Sequence, residues 1–177
     1  DNHIEQLFEP GKNYLYVDVG GGSTEINLIS EGELKSSRSY NIGTVRMLSG
    51  MVKNEEKEQM HTDLEVLAKE YAPIHIIGSG GNINKLFRLA DKKDKKQLFL
   101  PLASLQDIYR TLKDLPKEQR IKLFKLKPDR ADVIVPAAEI FMEVATRVQA
   151  NGIIVPTIGL SDGIIDSLYT KNRQWMQ

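Results

Sequence analysis

Residues 14–25 read YLYVDVGGGSTE: an apolar run ending in Asp18, then Gly20, Gly21 and Gly22, the hydroxyl residues Ser23 and Thr24, and Glu25. Three adjacent glycines permit positive φ and let a backbone approach a ligand with no Cβ in the way. Exposed N–H groups in such a turn suit an anion, most often a phosphate. Asp18 and Glu25 flank the turn. Two carboxylates beside a phosphate cradle repel the ligand unless a cation lies between them, and Mg²⁺ is commonly held by one or two carboxylates plus phosphate oxygens. The residues just after the glycines decide the fold. A dinucleotide-binding turn needs a third small residue at position 25 and then a helix, but position 25 is Glu25 and residues 23–30 alternate as a strand, with Thr24, Ile26 and Leu28 on one face. No Gly-Lys-Ser/Thr sequence occurs, so a Walker A loop is also excluded.

Working outward, residues 12–19 contain the first strand and Glu31-Gly32 is a hairpin-type turn. Residues 33–42 form a third strand, with Leu34, Tyr40 and Ile42 in alternation and Gly43 ending the set. A helix over 55–71 carries Met60, Leu64, Leu67 and Tyr71 as one apolar stripe, with Asn54 as N-cap and Pro73 as its stop. A short buried strand at 74–77 runs into Gly78-Ser79-Gly80-Gly81, and a helix comes next over 82–90. Further helices are predicted over 104–115, capped by Ser104, over 116–124, and over 131–150, the last with Ile134, Ala137, Ala138, Phe141, Val144, Ala145 and Val148 on one face. A final strand at 152–156 and a helix at 162–172 close the chain. This order of elements is an α/β arrangement with a mixed sheet.

The second glycine loop, Gly78 to Gly81, lies between a strand and a helix, where free N–H groups bind anions. Each loop alone has a plain reading as a tight connection. Two of them on one sheet face a common cleft if both lie at strand ends, where open α/β sheets bind ligands.

Bulk composition limits the rest. The chain has 177 residues, 41% apolar and 27% charged, which fits one soluble domain with a real core. Lys+Arg and Asp+Glu are both 24, so no global field draws in a nucleic acid or another polyanion. Cysteine is absent, which removes disulfides and thiolate zinc sites and suits the cytoplasm. No apolar run approaches the ~20 residues of a membrane span. The polar first residues are no signal peptide, and the chain reads as a fragment or a processed product. The lysines at 92, 93, 95 and 96 and the basic stretch 117–127 read as solvated faces diluted by Asp91, Asp94 and Glu118. His3, His61 and His75 lie far apart and form no ligand set, and Trp175 sits near the end as packing or as a partner surface.

DVGGGSTE resembles the second phosphate motif of the actin/Hsp70/sugar-kinase superfamily, and IIGSGG its adenosine motif. More narrowly, DVGGGSTEI at 18–26, NIGTVRM at 41–47, GSGG at 78–81, RADVIVPAAEI at 130–140 and GLSDGII at 159–165 resemble the exopolyphosphatase and guanosine-pentaphosphate phosphatase family (Ppx/GppA). The resemblance implies a ribonuclease H-like, actin-type domain: a mixed five-stranded sheet, three antiparallel strands first, with helices on both faces. It implies that 1–13 are a linker from a preceding actin-like domain of the same protein, 14–172 the second such domain, and 173–177 a tail. It also implies site roles. Asp18 and Glu25 would be catalytic and hold Mg²⁺, or Mn²⁺ in its place. Gly20, Gly21, Gly22, Ser23 and Thr24 would cradle terminal phosphates, with Arg46 either a phosphate ligand or a helix-start residue. Gly78, Ser79, Gly80 and Gly81 would approach a nucleotide or further phosphates. The implied activity is release of terminal phosphate from inorganic polyphosphate or a guanine nucleotide, guanosine pentaphosphate.

Two departures stand against the family pattern. The first phosphate loop and its catalytic Glu are absent, so this chain alone is expected to be inactive. Ser161-Asp162 stands where the family has an Arg-Glu pair. Arg130 and Asp132 read as structural, as a helix cap or a mutual salt bridge. The competing functions are a non-catalytic polyphosphate or alarmone nucleotide-binding module, an ATP-dependent kinase or chaperone ATPase of the same superfamily, and a fragment that forms a homodimer through exposed apolar surface.

Overall fold

A computed structural model describes the backbone of residues 8–175 and the side chains of 8–168. The first seven positions of the expected linker, His3, and the side chain of Trp175 lie outside the described residues.

Strand β1 (Asn13–Val19) is buried almost throughout. Its alternation sends Leu15, Val17 and Val19 into one core and Tyr14 and Tyr16 into another, on the opposite face of the sheet. β2 (Thr24–Ser30) returns antiparallel to it and β3 (Glu33–Tyr40) antiparallel again. The Glu31-Gly32 turn has φ of 55° and 73°, the paired positive values that match the twist of a two-residue hairpin. β3 is an edge strand with an exposed run around Lys35 and Arg38, charges that discourage edge-to-edge pairing.

A short helix α1 (Thr44–Leu48) comes next, then α2 (Asn54–Tyr71), β4 (Ile74–Ser79) and α3 (Gly81–Leu89). β5 (Phe99–Pro101) leads directly into α4 (Leu102–Lys113). Then come α5 (Lys117–Phe124), α6 (Pro128–Arg147), β6 (Gly152–Ile154) and α7 (Ile158–Trp175). The sheet order is β3-β2-β1-β4-β6-β5, with β4 parallel to β1, β6 parallel to β4, and β5 antiparallel to β6.

The sheet therefore has six strands rather than five. The extra strand is three residues long and ends in proline, too short to show alternation, and it exists through its pairing with β6. Gly152 admits it: a Cβ there would crowd the Leu100 carbonyl, the Phe99 ring and Pro101 Cα, the last at 2.9 Å. Three expected caps also differ. Asn54 is the first residue of α2, after Lys53, and Ser104 lies buried inside α4, which starts behind Pro101. Asp132 lies inside α6, which begins at Pro128, where proline's fixed φ favours a helix start.

The larger core lies between the sheet and α2–α6. The predicted face of α6 is there in full: Ile134, Ala137, Ala138, Phe141, Val144, Ala145 and Val148 are all buried. The other face carries α7, whose Ile164 and Leu168 pack on Tyr14, Tyr16, Ile29 and Ile77. No helix among the described residues is long and apolar enough to cross a membrane.

Gly152→Ala tests the edge assignment. The atoms around a new Cβ are largely backbone and cannot yield as a side-chain tip would, so we expect a loss of about 1–3 kcal/mol in chemical denaturation, in the range for overpacking. An unchanged midpoint would refute the edge pairing.

Candidate functional site

Strand register builds the site. Asp18 stands opposite Glu25 in the β1–β2 pairing and opposite Ser79 in the β1–β4 pairing. Directly paired residues share a face, so Glu25, Asp18 and Ser79 form a row across three strands, on the face that also carries Tyr16. Asp18 is half-buried and Glu25 exposed. Burial, and then the charge of Glu25, hold the Asp18 carboxyl above its ordinary value. Behind Asp18, the Tyr16 hydroxyl donates to the Ser161 carbonyl at 3.4 Å. Burial, above all, pushes the Tyr16 phenol up to about 12. Ser161 Oγ is buried with no hydrogen-bond partner among the described residues.

The glycine turn joins β1 to β2. Gly20 N–H donates to the Ser23 carbonyl at 2.9 Å and closes it. Every glycine carbonyl of the turn is then taken by the segment that opens α1. Thr44 N–H donates to Gly20 O at 3.0 Å, and Val45 and Arg46 N–H to Gly21 O at 3.0 and 3.3 Å. Arg46 Nε donates to Gly22 O at 2.6 Å. No acceptor among the described residues takes the N–H groups of Gly21, Gly22 or Ser23. The turn is a donor surface, as an anion site requires. The expected positive φ is not found at any of its three glycines. Their small size serves close approach instead: a Cβ on Gly21 would lie 3.1 Å from Val45 Cγ2.

Thr24 belongs to the structure around the turn rather than to its open side. It is fully buried in the larger core's direction, and its Oγ1 donates to the Ile42 carbonyl at 2.6 Å. Ser23 remains at the turn, half-buried. Arg46 lies over the turn through its bond to Gly22, with a half-buried side chain.

The second loop divides in the same way. Gly78 faces the core, where a Cβ would meet Ile153 and Phe141 at 2.9 Å and Ile83 at 3.3 Å. Ser79, 4% exposed, faces the Asp18 row. Gly80 has φ +114°, a conformation that calls for glycine. Gly81 opens α3, and the Arg130 guanidinium packs against it, held by a 2.6 Å bond to Asn82 Oδ1. Arg130 and Asp132 therefore do not pair; Asp132 takes Lys117 at 2.7 Å. Residues two apart on a helix point in different directions. The Arg130–Asn82 bond is the feature sequence reading missed, because nothing in the spacing links positions 48 residues apart.

Asp162 lies close enough for its charge to act on Tyr16, whereas several other charged groups are engaged elsewhere. Lys93 Nζ donates to Arg88 O at 2.7 Å, and Arg120 holds the Leu112 and Ala131 carbonyls. His61 Nε2 lies 2.9 Å from Glu143. His75 lines a separate cleft of about 1120 Å³ beside α7, together with Lys12, Lys96 and Phe99, and neither glycine loop reaches it.

No group of three or more His, Asp or Glu that could hold a metal occurs among the described residues. The donor set is the Asp18–Glu25 pair. That pair suits Mg²⁺ if phosphate oxygens complete the shell, and such an ion would offset both the burial of the Asp18 carboxylate and, second to it, the charge of Glu25.

The sequence matches the Ppx/GppA phosphatase family over residues 4–172. The chain belongs to that family. It is 28% identical over 188 residues to exopolyphosphatase 2 of Mycobacterium tuberculosis, covering 93% of this chain and 58% of that protein. The crystal structure of the Aquifex aeolicus Ppx/GppA phosphatase superposes with a TM-score of 0.69 at 27% identity, over 93% of this chain and 59% of that one. An exopolyphosphatase from Cytophaga hutchinsonii, at 21% identity and TM-score 0.67 over 85% and 55%, shares the fold. The chain thus spans less than two thirds of the length of these relatives, and its fold is the actin-like α/β fold of the Ppx/GppA family.

The raised Asp18 carboxyl has a consequence for stability. With its folded value raised, the folded chain keeps a proton that the unfolded chain has lost, so stability falls as pH rises from the ordinary carboxylate value through the folded one. Asp18→Asn should therefore be more stable than the wild type near neutral pH without divalent cations, and the gap should close as pH falls below the ordinary carboxylate range. Denaturant melts across pH measure this. A gap independent of pH would show that the carboxylate is not strained.

Proposed function

We propose that this Ppx/GppA chain is the second, C-terminal actin-like half of a cytoplasmic phosphohydrolase that releases terminal phosphate from inorganic polyphosphate or guanosine pentaphosphate. Residues 14–172 form that domain, 1–13 are the linker from the N-terminal actin-like domain, and 173–177 are a tail. One observation carries the reading: a carboxylate pair in direct cross-strand register beside a turn whose unsatisfied backbone groups are all N–H donors. The family match and the likeness to exopolyphosphatase 2 support the substrate class.

In this mechanism the N–H groups of Gly21, Gly22 and Ser23 take the oxygens of the terminal phosphates, with the free edge of Arg46 beside them. Ser79 and Gly80 face further phosphates or the nucleotide, and the Arg130 guanidinium adds a positive charge at that loop. Asp18 and Glu25 would hold Mg²⁺, or Mn²⁺, which would supply neutralisation of the phosphate charge. Glu25, exposed at the start of β2, orients a water in line with the terminal phosphorus. The water oxygen bonds to phosphorus as the bridging P–O bond breaks. The shortened chain leaves with the bridging electron pair, and the water proton passes to a carboxylate of the N-terminal domain. Charge on the transferring group is stabilised by donors already in place.

The test is phosphate release with Mg²⁺ from long-chain polyphosphate, guanosine pentaphosphate and ATP, by a protein spanning the full length of the relatives. We expect release from one of the first two, lowered at least about 100-fold by Glu25→Ala, the scale of losing a positioned acid–base group. The 177-residue chain should bind tripolyphosphate with Mg²⁺ and release almost none. Robust turnover by this chain alone would overturn the division between two halves. Binding without turnover at full length would favour a sensing module, and turnover of ATP alone an ATP-dependent relative.

A further inference from the structure

We propose that Gly43 is the positioning residue that makes the glycine turn an anion receptor. The proposal rests on the reading of that turn as the phosphate site and adds the device that shapes it. A bare hairpin turn presents carbonyls as well as N–H groups, and carbonyl oxygens repel phosphate. Here three carbonyls, of Gly20, Gly21 and Gly22, are drawn to the other side by Thr44, Val45 and Arg46. Of the turn's backbone groups, what remains unsatisfied is N–H alone.

Those bonds require the segment after β3 to lie directly against the turn. Gly43 is where the two backbones meet. A Cβ there would overlap the Gly21 carbonyl and stand 2.6 Å from the Gly22 carbonyl carbon. Gly43 has φ −139° and ψ 166°, extended backbone that any residue adopts. Its need for glycine is thus spatial, and what it touches is main chain, which cannot swing away. The segment is also fixed from the other end, because Thr24, in the strand just beyond the turn, donates its hydroxyl to the carbonyl of Ile42 at 2.6 Å. The turn and segment 42–46 close on each other as one unit. Any side chain at 43 separates them, frees the carbonyls and turns the donor surface into a mixed one, while leaving Asp18, Glu25 and the sheet register in place.

The experiment is a ¹⁵N NMR titration of the 177-residue chain with Mg²⁺ and tripolyphosphate, read at the amides of Gly21, Gly22 and Ser23. Wild type should show saturable shifts at these three amides. Gly43→Ala should retain the dispersed spectrum of a folded chain, show displaced turn amides before any ligand is added, and bind at least about tenfold more weakly, the scale of losing charge-assisted donors. Gly152→Ala, an equally crowded glycine at the far edge, should lose stability yet keep wild-type titration shifts, which separates positioning from general destabilisation. If Gly43→Ala does not fold, Thr24→Val decides: it removes the Ile42 tether without adding bulk and should weaken the same three shifts. Wild-type binding by a folded Gly43→Ala, or by Thr24→Val where that variant has to decide, overturns the positioning role. No shift in the wild type overturns the phosphate-site reading beneath it.

Discussion

Strand β1 constrains the whole domain, because it is paired on both edges and buried on both faces. A strand so enclosed has no freedom of register: sliding by one residue would bring its two tyrosines into the larger core and expel Leu15 and Val17. Asp18 sits one residue before the end of that strand. Its place opposite Glu25 and Ser79 is therefore fixed by apolar packing several residues away. The register fixes where the two carboxylate-bearing residues stand, and burial of Asp18, with the Glu25 charge adding to it, disfavours the Asp18 carboxylate. A stable core thus holds a partly buried carboxylate at its rim.

The readable parts of the fold were those set by periodicity. The first strand is legible as an apolar run, the second by its alternation over 23–30, and the face of α6 by seven apolar residues at helical spacing. Elements set by tertiary pairing were not readable. β5 exists because β6 offers an edge and Gly152 leaves room for it. Asn54 and Ser104 have the residue types of caps, but α2 and α4 begin where the preceding chain has already turned, at Lys53 and Pro101.

The site was legible by residue type and only partly by role. Spacing put Asp18, Glu25 and the glycines together, and the register brings the two carboxylates face to face. The family resemblance implies a phosphate role for the Thr24 hydroxyl. Strand alternation sends that hydroxyl to the opposite face from Glu25, where it reaches Ile42. Gly43 and Arg130 lie in recognisable motifs, but local spacing gives neither one's contact. Each matters through a contact across long sequence separation, Gly43 with the turn and Arg130 with Gly81. The glycines illustrate the limit well: their presence was obvious, but conformational freedom accounts for Gly80, while steric room accounts for Gly21, Gly43 and Gly78.

The distribution of charge bears on the proposal that the anion site is made from backbone. The chain is neutral, with 24 charges of each sign. Many of its described cations are already engaged: Lys117 with Asp132, Arg147 with Glu65 and Glu143, Lys12 with Glu9, Arg120 and Lys93 with carbonyls. Near the carboxylate pair, Arg46 is itself tied to the turn by one nitrogen. On the proposed reading, a polyphosphate approaching this face would meet the Asp18–Glu25 pair, with no lysine cluster among the described residues paired opposite it in the strand register. Attraction would then come from oriented N–H groups, which carry no net charge, and from a metal ion brought with the ligand. Donors of that kind are weakly screened at close range and act only on a group placed against them. A site of the proposed kind would favour a ligand that brings its own cation and presents a compact terminal phosphate. It would give little affinity to the repeating backbone of a nucleic acid, so the balanced composition and the donor turn would select the same class of ligand.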